Sequence, residues 1–119
     1  MENIDAQKLH NEIEKFINER DWDQFHSVKN LAMALSVETS ELVEIFQWMT
    51  EEKSNQLKSD PVLMEKVRDE VADIFFFLLR ISAKAEIDLE SALLSKIKKN
   101  AEKYPIDKSR GSSKKYTEL

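Results

Sequence analysis

Two pairs of carboxylates, each with its members three residues apart, are the part of this chain most able to do chemistry. Glu38 and Glu41 form one pair, in Leu35-Ser-Val-Glu-Thr-Ser-Glu-Leu-Val-Glu-Ile-Phe46, and Glu70 and Asp73 form the other. On a helix, residues three apart project from one face. Asp73 interrupts Val71–Leu79, otherwise the most apolar run in the sequence. Carboxylates drawn out of water repel one another and are costly unless something positive compensates them. Four acids converging from two helices would offer only oxygen, which suits a hard divalent cation, Mg²⁺ first and Mn²⁺ as the alternative. A di-iron bundle would use Glu-x-x-His pairs. The two histidines, His10 and His26, complete no such pair. The competing readings are solvated helix faces for Glu38 and Glu41, and a core ion pair of Asp73 with Arg80 or Lys29. Glu44 and Asp69 read as surface acids.

Aromatic and basic residues extend these faces. Trp48 follows Glu41 by seven residues, and Phe77 follows Glu70 by seven and Asp73 by four. An aromatic wall beside a cation can stack a nucleobase while the metal holds phosphates. Ordinary core packing is the alternative for both. Trp22, Gln24, Phe25 and His26 cluster in a segment with no helical pattern, where packing is a less automatic explanation. Lys96, Asn100 and Lys103 share a face near the end of the last helix, with Tyr104 adjacent. They suit phosphate, although cations in a last turn are also expected from the helix dipole.

Four helical segments must position these groups. The first runs from about Asp5 to Arg20, with a stripe of Ile4, Leu9, Ile13, Phe16 and Ile17. The second starts from Ser27 as N-cap and reaches about Met49, with Leu31, Leu35, Leu42, Ile45, Phe46 and Met49 inward. A polar loop from Thr50 to Ser59 leads to Asp60-Pro61, cap and first position of a third helix that ends near Ala85. Asp88 caps a fourth, Leu89 to Tyr104, stopped by Pro105. The expected fold is all-α, an antiparallel four-helix bundle. Phe75 to Leu79 wrap most of the third helix, which predicts neighbours on several sides and so a dimer or higher oligomer. Residues 1–105 are expected to form one helical domain, and 106–119 a flexible basic tail.

Composition narrows the function classes. The 119 residues are 34% charged with one Gly and two Pro, a helix-rich profile. Cys is absent, which removes disulfides, zinc-thiolate sites and thiol nucleophiles. No apolar run approaches the ~18 residues of a membrane span, and no signal-peptide pattern opens the chain. A cytoplasmic protein without a membrane partner is the expectation. The net charge of -5 divides into +5 over residues 96–119 and -10 over the rest. A binder of nucleic acid polymers would be basic overall. An acidic body with a basic end suits a cation site beside an anion site.

Taken together, these residues resemble the MazG-like all-α nucleoside triphosphate pyrophosphohydrolases, which carry Glu-x-x-Glu, a spacer and Glu-x-x-Asp. Here the spacer is 28 residues. Within that family the likeness is greatest to the dCTP pyrophosphatases. It rests on Arg20 to His26, Glu41 to Trp48, Leu94 to Lys96, Tyr104-Pro105 and Ser112 to Leu119. The resemblance implies a homotetramer, a dimer of dimers, whose active sites draw on neighbouring subunits. It implies hydrolysis of a deoxynucleoside triphosphate between its α and β phosphates, with Mg²⁺ on Glu38, Glu41, Glu70 and Asp73. Base and sugar contacts fall to the Trp22–His26 segment and Trp48. A family tyrosine becomes Phe77, without its hydroxyl, and a histidine of the mammalian relatives becomes Ile13. The competing function is a non-catalytic helical module that binds a nucleotide or partner, or serves oligomerisation.

Overall fold

The short side chains that precede each helix decide where it begins. In a computed structural model describing all residues, Met1–Leu119, Asp5 accepts a hydrogen bond from the Lys8 amide and opens α1, Ala6–Glu19. Ser27 does the same for α2, Val28–Phe46, through the Asn30 amide. Thr50 caps the short α3, Glu51–Ser54, and Asp60 with Pro61 opens α4, Pro61–Lys84. Asp88 caps α5, Leu89–Lys103, and α6 spans Ile106–Ser109. Single 3-10 turns lie at Asp23–Phe25, Leu57–Ser59 and Tyr116–Glu118. Each cap satisfies an amide that the helix itself leaves open.

The all-helical expectation holds, with two local corrections. The second helix ends at Phe46, short of Met49, because Thr50 is extended (φ −70°, ψ 155°) in order to cap α3. The loop expected at 50–59 contains α3 and a 3-10 turn. No helix is long and apolar enough to cross a membrane.

The chain divides into two compact units, Met1–Glu86 and Ile87–Leu119. In the first, α4 is the central element and packs along α2 and against α1. The α2–α4 pair is antiparallel. His26, before α2, feels the charge of Arg80 late in α4, while Glu38 within α2 meets Glu70, ten residues earlier on α4. The core is small. Ile13, Ile17, Leu31 and Leu79 are its buried apolar side chains, and Ile17 is fully enclosed. Ile17→Ala should therefore lower unfolding free energy by about 3 kcal/mol, transfer and cavity terms together, in urea denaturation. Ile4, expected in the α1 stripe, is exposed instead.

In the second unit α5 has no buried residue, and Leu93, Leu94 and Ile97 are more than half exposed. The segment beyond Pro105 carries α6 and the terminal 3-10 turn. Tyr116 lies edge-on to Tyr104 at 5.9 Å, with Lys103 Nζ 4.9 Å above the Tyr116 ring.

Candidate metal centre and nucleotide site

Antiparallel pairing of two helices brings acids distant in sequence onto one level. Glu38 and Glu41 stand one turn apart on α2, and α4 presents Glu70 to them. One carboxylate oxygen from each of the three lies within 4.8 Å of the others. No cation of the protein faces them in an ion pair, and all five salt bridges lie elsewhere. The Glu38 carboxyl is pushed up to about 7 by burial first, then by the close approach of the Glu41 and Glu70 carboxyls and by the charges of Glu41 and Asp73. Burial also raises Glu70, helped by Glu41 and Asp73 and opposed by the neighbouring Glu38 carboxyl.

Glu38 and Glu70 each turn one oxygen (Oε2) into the interior with no hydrogen-bond partner. Buried acceptors left unsatisfied are expensive and rare in native folds. Two such oxygens in an all-oxygen cluster fit a hard divalent cation, which would satisfy both and remove the repulsion.

Asp73 departs from expectation. It is exposed rather than buried in the apolar run, and it lies outside the group of three. Its charge still reaches Glu38 and Glu70 and raises both, so it borders the cluster. Nor does it pair with Arg80 or Lys29. Arg80 donates to Asp23 instead.

The expected base-contacting residues fall at two places. Trp22, Gln24, Phe25 and His26 occupy the 3-10 turn before α2 and its flanks. Trp22 stacks edge-on to Phe16 at 5.6 Å, Phe16 meets Phe76 at 6.2 Å, and Phe76 meets Phe77 at 5.3 Å. Trp22 and Phe77 are thus linked through the rings of Phe16 and Phe76, which gives Phe77 a packing role. Arg20 lies 3.8 Å above the Phe16 ring. Gln24 donates to the backbone oxygen and the carboxylate of Asp21. Phe25 is exposed, whereas His26 is half-buried with Nδ1 unpartnered. Burial first, then the Arg80 charge, lowers its pKa, with Asp23 opposing.

Trp48 lies beyond the other end of α2 and is 91% exposed. The helix between has 19 residues, which is ~28 Å at the α-helical rise. A single chain therefore cannot close Trp48 and the Trp22–His26 turn on one base. Lys96, Asn100 and Lys103 are exposed on α5, and Tyr104 follows as its C-cap.

Sequence reading missed Asp23 and Lys84, and offered Arg80 only as a partner for Asp73. The Asp23 carboxylate accepts from both Arg80 and Lys84, and these interactions hold it below the usual carboxylate range, the Lys84 hydrogen bond first among them. The available signal was a lone Arg in the apolar stretch from Phe75 to Ile81.

The MazG-like family model matches residues 33–119. The dCTP pyrophosphatase 1 of Bos taurus is 40% identical over 115 residues, 97% of this chain and 66% of its own length. That of Homo sapiens is 40% identical and that of Mus musculus 38%, over the same shares. The chain thus spans 66% of the length of these curated relatives. The solved structure of a pyrophosphatase from Archaeoglobus fulgidus superposes with a TM-score of 0.76 at 34% identity, covering 88% of this chain and 96% of that one.

Proposed function

The chain belongs to the MazG-like family, and from that premise we propose that it is a nucleotide pyrophosphohydrolase. Its substrate in this reading is a deoxynucleoside triphosphate, dCTP or a modified dCTP, cut between the α and β phosphates. The products are the monophosphate and pyrophosphate, and the role is to clear unwanted deoxynucleotides before a polymerase meets them. The observation that carries the reading is the cluster of Glu38, Glu41 and Glu70 with its two buried, unpartnered oxygens.

Glu38, Glu41 and Glu70 would hold the metal, with Asp73 at the border of the cluster. Bound there, a divalent cation, Mg²⁺ with Mn²⁺ as the alternative, would supply charge neutralisation for the polyphosphate and ease deprotonation of water. The protein's own residues do the rest. Glu41, the most exposed carboxylate of the three, is the one assigned in this reading to take the proton of the attacking water. The water's oxygen forms a bond to the α-phosphorus as the bond to the bridging oxygen breaks, and pyrophosphate leaves. Lys96, Asn100, Lys103 and Tyr104 are the candidate phosphate contacts.

The Trp22–His26 turn lies beside Arg80, ten residues along α4 from Glu70, or ~15 Å along the helix axis. That separation is comparable to the length of a nucleotide. With Phe25 it offers an aromatic surface to the base while phosphates reach the acids. Trp48, at the far end of α2, would serve the site of a neighbouring copy. This geometry favours assembly of more than one copy, which in our reading is a homotetramer, a dimer of dimers, and the exposed Leu93, Leu94 and Ile97 of α5 give such an assembly apolar surface to cover.

A panel of dNTPs and modified dCTPs with Mg²⁺ tests the reading by chromatography of products. The expected outcome is dCMP with equimolar pyrophosphate. Release of orthophosphate alone, or nucleotide recovered intact across the panel, overturns it, and intact but bound nucleotide favours the non-catalytic binding module.

A further inference from the structure

We propose that Arg80 and Lys84, acting through Asp23, fix the turn that carries Trp22, Phe25 and His26, and so set nucleotide affinity as positioning residues. The proposal rests on the reading above, in which this turn meets base and sugar.

Two side-chain hydrogen bonds stand apart from all others in the chain. Arg80 Nη2 and Lys84 Nζ both donate to Asp23 Oδ1, the second at 2.7 Å, across 57 and 61 residues. Every remaining side-chain hydrogen bond joins residues five or fewer apart. The polar link between the turn and α4 is therefore this one carboxylate oxygen.

Local bonds shape the turn without placing it against α4. The Phe25 amide donates to the Trp22 carbonyl at 2.9 Å and the His26 amide to the Asp23 carbonyl at 3.0 Å. Asn30 Nδ2 donates to the Phe25 carbonyl at 3.0 Å. Asp21 enters the turn at φ 53°, a left-handed conformation that Asp tolerates better than most residues. A cavity of about 300 Å³ opens beside the link, lined by His10, Glu14, Asn18 and the three charged partners. Packing on that side leaves room, so there the ion pairs, and not side-chain contact, tie the turn to α4.

The Arg80 side chain is only 5% exposed, and its Nε has no partner. A buried guanidinium with an unsatisfied donor, paired to a carboxylate that is half exposed, is a poor device for stability alone, and an apolar residue would pack there at less cost. Its best-attested use is to select one arrangement among several. Here the arrangement selected is the register of the turn on α4.

The test is steady-state kinetics on dCTP with Mg²⁺, compared with inorganic tripolyphosphate, which lacks base and sugar. Asp23→Asn and Arg80→Lys should each raise KM for dCTP about tenfold, with kcat within about threefold of wild type. The double variant should be no worse than the weaker single, since both cut one link. Asp23→Glu should recover most of the loss, and KM for tripolyphosphate should not move. Asp23 and Lys84 are partly exposed, so Asp23→Asn and Lys84→Met keep the test open if Arg80 variants fail to fold. A lowered Tm with unchanged KM, measured where the variants are folded, overturns the positioning role alone. A wild type inert toward every dNTP sinks the functional reading, and this proposal with it.

Discussion

Glu70→Gln is expected to lower the rate of pyrophosphate release by about 10³-fold, the order seen when a preorganised charge at a reacting centre is lost. The fold should survive, for a physical reason. Glu70 shares a 4.8 Å cluster with Glu38 and Glu41, and nothing cationic in the chain faces them. Removing one negative charge relieves repulsion, so without metal at pH 8 the variant's Tm should equal or exceed that of wild type. Asp69→Asn is the matched control. It alters the preceding residue, outside the cluster, and should leave the rate within about twofold. A Glu70→Gln protein that keeps more than a tenth of wild-type activity would falsify the assignment of this cluster as the reaction centre.

The second large effect is a stability whose pH dependence changes when metal is bound. The Glu38 carboxyl titrates near 7 in the folded protein, against an ordinary value of 4.5. Between those values the folded state holds a proton that the unfolded chain has released. Unfolding free energy therefore falls as pH rises through that window. Glu70, also raised, adds in the same direction. In chelator, Tm should drop by several degrees from pH 5 to pH 7.5. Metal binding needs the carboxylates deprotonated, so Mg²⁺ should bind about tenfold more tightly per pH unit gained below 7, for each proton displaced. With saturating Mg²⁺ the decline should flatten or reverse. Calorimetry in two buffers of different ionisation enthalpy counts the protons released, and a count of zero at pH 6 sinks the linkage.

Much of this was legible in the sequence because the signals are local. Caps at Asp5, Ser27, Asp60 and Asp88 act within three residues of themselves, and each begins its helix where the sequence placed it. The spacing of Glu38 and Glu41 put both on one face of α2 for the same reason. Asp73 misled because apolar neighbours along a chain do not fix which face of a helix is enclosed. Its flanks Phe75 to Phe77 are half-buried while Asp73 and Leu78 look outward. Asp23 was illegible because its partners lie 57 and 61 residues away. Trp22 and Trp48, both expected at the base, lie on either side of α2, and spacing along the chain does not say whether one copy or two would bring them together.

The interior described above rests on four apolar side chains, and a third of the residues are charged. A solitary subunit with so little enclosed has a thin margin against the entropy of its own backbone. Under the tetrameric reading, newly made copies that have not found partners are the vulnerable species. Proteases and chaperones would thin that orphan pool first, so the cell's supply of working enzyme would follow how quickly subunits meet as well as how many are synthesised.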